Sequence, residues 1–365
     1  MTGGSPDADC ADALTAAVEE AQAAGEPLCV QGAGTKSFLG EAGTGRSLPV
    51  AKHRGVIAYE PTELVLTARA GTPLAEIETR LAEAGQMLPF EPPHFGDGAT
   101  LGGTIACGLS GPRRPYAGAA RDFVLGVRLV NGRAEVGRYG GEVMKNVAGY
   151  DVSRLMVGAL GTLGLILDVS LKVLPRPELE ATRALDLDAA AAIRRFCELG
   201  GQPLPLSAAA WLDGRAYLRL SGSEAGVTAA LAQIGGDAMA DADAARFWLA
   251  LREHRLEFFC GPGTLWRLSV PPATPPLALA GDWLIDWAGG QRWIRSEEPA
   301  ASVRALADAA GGHATAFRDR AEDTPAFHPL PDALLALHRR VKAALDPAGL
   351  FLSLIHISEP TRLQV

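Results

Sequence analysis

Three glycine-bearing segments in the first half of the chain have the composition of loops that bind phosphate. They are residues 31–37 (QGAGTKS), 100–106 (TLGGTIA) and 161–166 (GTLGLI). Glycine lacks a Cβ atom, so the main-chain N–H groups around it approach a phosphate closely. Several such segments in one domain predict a long ligand that carries phosphates and is held at several points. A dinucleotide-like cofactor is therefore the first hypothesis.

Two common phosphate-binding motifs fit the first segment poorly. Residues 32–37 lack the third glycine of the nicotinamide dinucleotide fingerprint, and no acidic residue ends an obvious next strand to bind a ribose. A P-loop needs glycine directly before its Lys-Ser pair, and Thr35 stands there instead. Each segment taken alone is also compatible with an ordinary turn. Only the combination of segments favours a shared ligand.

Composition excludes several classes of protein. The chain of 365 residues is long enough for about two domains. Its formal net charge is −8 and it contains no run of Lys and Arg, which argues against nucleic-acid binding and against a polybasic membrane anchor. No signal peptide and no apolar run of about 18 residues is present. We expect a soluble, cytoplasmic protein.

Cysteine and histidine spacing indicates that the chain binds no metal. The five cysteines form no C-x-x-C pair, so neither a zinc ribbon nor an iron–sulfur cluster is predicted. The seven histidines form no H-x-H or H-x-x-x-H pair on one element. We therefore predict no metal site and reduced thiols.

Local patterns place the glycine segments on secondary structure. A short buried strand over 27–30 leads directly into the first segment, which is the context that a phosphate-binding turn requires. Asn131-Gly132 predicts a two-residue hairpin. A strand from Leu165 to Val173 ends at Pro175 and Pro177, where we place a domain boundary. The other elements predicted for this half are helices over 12–24 and 73–85 and strands over 64–70, 123–130 and 134–139.

Beyond the boundary, helical and strand patterns alternate. Mixed patterns of this kind predict an antiparallel sheet with helices on one face. The predicted helices lie near 188–199, 224–235, 242–254, 300–310 and 331–345. The predicted strands lie at 206–212, 215–221, 264–270, 283–287, 290–295 and 313–317.

The order of the motifs resembles the FAD-binding domain of the vanillyl-alcohol-oxidase type, also called the PCMH type. The segments that carry this resemblance are 32–36, Pro92 with 100–103 and 110–111, 121–126, 145–151 and 161–166. The chain from about residue 10 to residue 351 resembles more narrowly the GlcE family, the small FAD-binding subunits of bacterial glycolate dehydrogenase. The segments that carry the narrower resemblance are 91–96, 107–115, 140–151, 262–267, 284–287 and 311–315.

The resemblance implies an α+β fold and a place in a complex. It implies a two-subdomain PCMH-type FAD-binding domain over residues 1–176 and an α+β cap domain with an antiparallel sheet over 177–351. It further implies oxidation of glycolate, a 2-hydroxy acid, to glyoxylate, with a larger FAD-containing subunit and an iron–sulfur subunit as partners. Peripheral association with the inner face of the cell membrane would then occur through these partners.

The resemblance also implies which residues bind FAD. The first segment would bind the pyrophosphate with Lys36 as a charge partner, the second would approach the pyrophosphate, ribityl chain and flavin, and the third would hold the adenine end. The predicted cofactor-binding residues are Gly32, Ala33, Gly34, Thr35, Lys36, Ser37, Pro92, Thr100, Leu101, Gly102, Gly103, Ile105, Ala106, Ser110, Gly111, Gly161, Thr162, Gly164, Leu165 and Ile166.

The predicted catalytic residues are Arg113, Tyr116 and His313. A 2-hydroxy acid needs a cation for its carboxylate, and arginine offers a bidentate fork, although a structural ion pair is an equally good reading of Arg113 and Arg114. His94 and His313 are the histidines considered for accepting a hydroxyl proton.

The histidine pattern leaves the catalytic role open. Related large subunits and D-lactate dehydrogenases bind a metal through a cap-domain histidine cluster that this sequence lacks. Two alternatives therefore remain: a non-catalytic FAD electron relay or scaffold subunit, and a stand-alone FAD-dependent 2-hydroxy-acid oxidoreductase. Residues 352–365 depart from the family pattern and are predicted to be a non-native tail.

Overall fold

The computed structural model of the protein describes residues 7–40, 44–141 and 151–352. The predicted motif residues 145–150 lie outside the described residues, as does the predicted tail apart from Leu352. The helices are α1 (Ala11–Ala24), α2 (Leu74–Glu83), α3 (Leu101–Cys107), α4 (Arg114–Ala117), α5 (Ala120–Phe123), α6 (Val152–Leu155), α7 (Ala189–Gly200), α8 (Glu224–Ile234), α9 (Asp241–Arg252), α10 (Ala300–Ala309) and α11 (Asp332–Leu345).

The strands form two larger sheets and two short pairs. They are β1 (Leu28–Gln31), β2 (Arg46–Pro49), β3 (Val56–Glu60), β4 (Val65–Arg69), β5 (Gln86–Met87), β6 (Val124–Val130), β7 (Val136–Gly140), β8 (Leu165–Lys172), β9 (Leu174–Pro175), β10 (Leu179–Asp186), β11 (Leu206–Leu212), β12 (Arg215–Gly222), β13 (Asp237–Ala238), β14 (Thr264–Ser269), β15 (Trp283–Asp286), β16 (Gln291–Ser296) and β17 (His313–Arg318).

The first unit is built on a five-stranded antiparallel sheet in the order β3-β4-β8-β6-β7. Its central strand β8 is buried along almost its whole length, because both of its faces are covered. Helix α2 buries Leu74, Ile77 and Leu81, which lie on one helical face, in the same core. A smaller layer beside this sheet contains α1 and the parallel pair β1-β2.

The second unit is an eight-stranded antiparallel sheet in the order β13-β10-β12-β11-β15-β16-β14-β17. Helices α7 and α8 cover one face, and α10 covers the same sheet further along. The prediction that all helices lie on one face is wrong for α9. Its Trp248 and Leu251 pack on the opposite face, in a cluster that also includes Leu39 and Leu109 of the first unit. The sheet thereby turns one face towards the first unit.

Two local expectations from the sequence need correction. The hairpin at Asn131 is not a two-residue turn, because Val130 pairs with Val136 and residues 131–135 connect the strands. The side chain of Asn131 accepts hydrogen bonds from the N–H groups of Arg133 and Glu135, which completes this wider loop. Strand β10, which begins directly after the proline pair, was missed because it alternates weakly between buried and exposed residues.

The end of the described chain returns to the first unit. Phe351 pairs with Leu28 in β1, and both side chains are buried. The ammonium group of Lys342 donates to the carbonyls of Thr162 (2.6 Å) and Phe351 (2.7 Å) and to Asp346 Oδ2 (2.5 Å). The domain boundary at residue 176 stays a prediction. Residues 342–352 were assigned to the cap domain, but they contact residues of the predicted FAD-binding domain.

We predict that Lys342→Met lowers the free energy of unfolding by about 3 kcal/mol. The substitution leaves the fully buried carboxylate of Asp346 without its cation, and such losses cost about 3–5 kcal/mol. Chemical denaturation followed by circular dichroism measures the change. Lys52→Met, at an exposed position, is the matched control. Equal stability of the two variants would contradict the importance of this contact.

Candidate functional site

The first glycine segment presents a run of free main-chain donors. It follows β1 directly, as predicted, and Gly34 has a φ of 74°. Within the described part of the chain, the N–H groups of residues 32–36 have no hydrogen-bond acceptor, whereas Ser37 N–H donates to Gly34 O (3.1 Å). Consecutive unpaired N–H groups form a concavity that suits an anion such as a pyrophosphate.

Gly32 holds this segment against Thr100. A Cβ atom on Gly32 would lie 2.5 Å from Thr100 Oγ1, and one on Gly98 would lie 3.1 Å from the Cβ of Ala33. Both distances are shorter than ordinary van der Waals contacts. The close approach of the first and second segments therefore requires glycine.

Lys36 points inward rather than towards the loop surface. It is buried, and its Nζ donates to the carbonyl of His94 at 3.2 Å. Burial lowers its pKa, and the nearby Cys107 and Glu253 oppose that shift. The ammonium group therefore lies at the base of the segment, and its predicted role as a phosphate partner stays a prediction.

The second segment consists of the N-cap and most of helix α3, and it is not a loop. Thr100 is the N-cap, and its Oγ1 accepts from Gly103 N–H. The N–H groups of Leu101 and Gly102 donate to the carbonyls of Thr72 and Ala70. These three donors are thus used within the protein, and the predicted contact of residues 101–103 with FAD stays a prediction.

Packing explains the residue types in α3. A Cβ atom on Gly102 would lie 2.7 Å from the Cβ of Ala70, so Gly102 lets the helix lie against the sheet. Leu101 and Ile105 are fully buried in the core of the first unit. The side chain of Ile105 therefore packs in that core, and its predicted place near the flavin stays a prediction.

The third segment runs beside the other two. Gly158 N–H donates to Ile105 O (3.0 Å), and Leu160 N–H donates to Ala106 O (2.8 Å). The position of a Cβ on Gly161 lies 3.7 Å from the Cβ of Val30, next to the first segment. Thr162, Leu165 and Ile166 are buried, the latter two in β8, and Gly164 lies close to the carbonyl of Val130. All three segments therefore meet at one end of the first unit.

The remaining predicted cofactor residues lie where the two units meet. Gly111 N–H donates to Phe90 O (2.9 Å), and a Cβ on Gly111 would lie 2.3 Å from Glu91 O. Ser110 Oγ accepts from Ala120 N–H, and Pro92 is buried. The contacts of the predicted residues with FAD stay predictions.

Arg113 belongs to a buried ion network that joins the units. Its guanidinium contacts Glu91 (3.3 Å) and Glu180 (2.6 Å), and Arg219 contacts Glu91 at 2.9 Å. Burial would raise the pKa of Glu91, but Arg219 and Arg113 outweigh it and lower the pKa below its ordinary value. The structure thus supports a structural role for Arg113, because its charge is already paired.

The side chains of Arg113, Tyr116 and His313 make no hydrogen bond or ion pair with one another among the described residues. The hydroxyl of Tyr116 is buried without a hydrogen-bond partner among the described residues, and burial next to Asp286 raises its pKa. His313 is exposed at the start of β17, and no hydrogen bond or ion pair in the described structure links it to Arg113 or Tyr116. His94 is 3.1 Å from Glu78 Oε2. The catalytic roles of Arg113, Tyr116 and His313 stay predictions.

A small cavity between the units brings other polar residues together. Segments 93–95 and 109–112 of the first unit form one wall, and the face of the eight-stranded sheet forms the other. The polar residues that line it include His254, Arg267, Asp286 and Gln291, beside the rings of Phe95, Trp293 and Phe317.

His254 is held in this cavity by aromatic rings. Its ring stacks on Phe259 at 4.0 Å and meets Trp293 edge-on at 4.6 Å. Its Nδ1 is buried without a hydrogen-bond partner among the described residues. Burial, with Arg318 and Arg267 nearby, holds its pKa well below 6.5, so the imidazole is neutral at pH 7.

Two charged groups in the cavity have shifted pKa values. Burial raises the pKa of Asp286 to about 7, although the N–H of Trp287 and the amide of Gln291 bond to the carboxylate. Burial, with Arg114 nearby, lowers the pKa of Arg267 to about 10. Asp286 and Arg267 lie in segments that supported the family resemblance, but no sequence motif pointed to His254.

Comparison with known proteins identifies the family of this chain. Residues 8–140 match the model of the FAD binding domain family. The glycolate oxidase subunit GlcE of Escherichia coli (strain K12) is 47% identical over 94% of this chain and 96% of its own length. The chain belongs to the GlcE family.

Two more distant relatives match less than half of the chain. The glycolate oxidase subunit GlcD of Bacillus subtilis (strain 168) is 31% identical over 43% of this chain and 33% of that protein. A D-lactate dehydrogenase of Anaerostipes hadrus is 30% identical over 37% of this chain and 28% of that protein. Membership confirms the expectation of an FAD-dependent oxidoreductase.

A solved structure confirms the fold. An alkyldihydroxyacetonephosphate synthase superposes with a TM-score of 0.64 at 14% identity, over 93% of this chain and 74% of that chain. Among the described residues, no helix is both long and apolar enough to cross a bilayer, and no group of His, Cys, Asp and Glu is arranged to hold a metal.

We predict that Asp286→Asn changes the pH dependence of stability. The raised pKa means that the folded state binds a proton that the unfolded state releases, so wild-type stability falls as the pH rises from about 4 to about 7. The uncharged amide would remove that fall, and the variant would gain up to about 4 kcal/mol relative to wild type across this range. Urea denaturation at several pH values measures it.

Asp213→Asn, in the exposed turn between β11 and β12, controls for the loss of a carboxylate at the surface. A stability difference between Asp286→Asn and wild type that stays constant from pH 4 to pH 8 would contradict the raised pKa.

Proposed function

We propose that this chain is the FAD-binding subunit of a glycolate dehydrogenase complex that oxidises glycolate to glyoxylate. Its electrons would pass through the flavin to an iron–sulfur subunit, and a larger FAD-containing subunit would complete the complex. The proposal further holds that the chain is cytoplasmic and meets the membrane only through these partners. The 47% sequence identity to a GlcE subunit, over nearly the whole length of both chains, supports this assignment.

The observation that carries the cofactor part of the proposal is the run of unpaired N–H groups at 32–36. Main-chain donors would bind the pyrophosphate without a counter-charge, which suits a cofactor that stays bound. Residues 158–162 flank the same place. When bound, FAD supplies the redox chemistry, which amino-acid side chains lack.

The protein's own contribution to the reaction would be made in the cavity between the units. The rings of Phe95, Trp293 and Phe317 would exclude water, and His254 offers a neutral imidazole. In a site shielded from water, charges and dipoles act more strongly on a bound ligand. This arrangement suits a small polar substrate.

Anaerobic spectroscopy tests the function. The purified complex and the chain alone should both show flavin absorbance, and glycolate should bleach the flavin of this chain. Bound FAD that glycolate never bleaches would refute the catalytic role and support the relay. Full activity of a solitary chain with an artificial acceptor, together with failure to co-purify with partners, would refute the subunit assignment.

We predict that Gly32→Ala raises the dissociation constant for FAD about tenfold or more. The new Cβ would lie 2.5 Å from Thr100 Oγ1, so the segment must move and its N–H groups lose their alignment. Fluorescence titration of the FAD-depleted chain with FAD measures the constant.

Thr100→Ala provides the matched test, because it removes Oγ1 and leaves the next atom of residue 100 at 3.7 Å. The double variant should recover most of the FAD affinity of Thr100→Ala alone. A double variant as weak as Gly32→Ala would show that the contact with Thr100 does not position the segment.

A further inference from the structure

We propose that Arg267 and His254 form a binding site for a small 2-hydroxy carboxylate. Arg267 binds the carboxylate, and Nδ1 of His254 accepts a hydrogen bond from the hydroxyl. The choice of ligand rests on the proposed function, whereas the site itself rests on the geometry of the cavity.

Strand register and a ring contact place Arg267 and His254 on the wall of the same cavity. Arg267 in β14 is opposite Trp293 in β16 and Thr315 in β17, so the three side chains share the sheet face that is turned towards the first unit. The ring of Trp293 contacts His254 at 4.6 Å, and both Arg267 and His254 line the cavity. A ligand in the cavity therefore meets both.

Arg267 is a cation without a counter-ion. Within the described residues it has no ion pair and no hydrogen bond, and its guanidinium lies 5.4 Å from the ring of Phe317. Arg113, Arg219 and Arg295, by contrast, all have carboxylate partners. Arg267 is partly exposed and lines the cavity, so an anion that enters the cavity gains a strong, bidentate partner.

The other charges around the cavity do not satisfy Arg267. Asp286 bonds to Trp287 N–H and Gln291, and its pKa of about 7 leaves it partly protonated at neutral pH. Arg114 adds a second positive charge close to Arg267. The cavity therefore favours a ligand of negative charge, although the chain as a whole carries a net charge of −8.

His254 distinguishes a hydroxy acid from a simple acid. Its Nδ1 is buried without a partner among the described residues, and such an atom gains from a donor supplied by a ligand. With the proton on Nε2, the neutral ring accepts at Nδ1, and the surrounding rings of Phe259 and Trp293 fix its orientation. A hydroxyl next to a carboxylate is a donor of suitable size.

Binding of acetate and glycolate separates the two roles. Both anions carry a carboxylate, but only glycolate carries a hydroxyl. Isothermal titration calorimetry on the FAD-loaded chain, reduced with dithionite so that no turnover occurs, measures both dissociation constants. Arg267→Met should raise both at least about tenfold. His254→Phe should raise only that of glycolate, by about 2- to 10-fold.

The controls keep the proposal open to refutation. Arg215→Met, at an exposed ion pair of the same sheet, should leave both constants unchanged. Arg267→Lys keeps the positive charge but loses the bidentate geometry, so its dissociation constants should lie between those of wild type and Arg267→Met. This second variant keeps the test valid if Arg267→Met misfolds. Unchanged anion binding in Arg267→Met overturns the proposal. So does loss of FAD from that variant with anion binding intact, because Arg267 would then serve the flavin.

The outcome for this site is separable from that for the function. Anion binding that depends on Arg267, without bleaching of the flavin by glycolate, would refute the catalytic role and leave the site standing. If glycolate bleaches the flavin and Arg267→Met binds both anions with normal affinity, the catalytic role stands and the proposed site is refuted. Equal losses for acetate and glycolate in His254→Phe would refute the role of His254.

Discussion

The arrangement of the two units depends on one largely buried carboxylate. Glu91 lies between Arg113 of the first unit and Arg219 of the eight-stranded sheet. A buried charge is stable only when it is paired, so this contact fixes both arginines and the segment that follows Glu91. In that segment, the N–H groups of His94 and Phe95 donate to Glu253 at the end of α9. The cavity lies between these two contacts.

The first glycine segment offers main-chain donors for binding, and the second serves packing. The N–H groups of residues 32–36 have no acceptor in the part of the chain that the structure describes, whereas those of residues 101–103 bond within the protein. Gly102 is needed for the close approach of α3 to Ala70, and Gly32 for the contact with Thr100. Glycine therefore marks both kinds of position, and only the hydrogen-bond partners tell them apart.

Local pattern predicted most elements of the fold within a residue or two, because hydrophobic periodicity and turn residues act over short distances. Strands β11 and β12 and helices α8 and α11 are examples. The pattern failed where a distant contact decides the outcome. Helix α3 is capped by Thr100 and lies on Ala70, and α9 is held on the far face of the sheet by cores shared between the units.

The sequence by itself determined the family, the cofactor and the order of the elements, since ordered motifs and periodicity survive without knowledge of long-range contacts. For Arg113 it left open both a structural ion pair and a role in substrate binding. Only the tertiary structure decided which charges are paired: it neutralised Arg113 with Glu91 and Glu180 and left Arg267 beside His254 in the cavity. Pairing depends on residues far apart in the chain, and no spacing in the sequence records it.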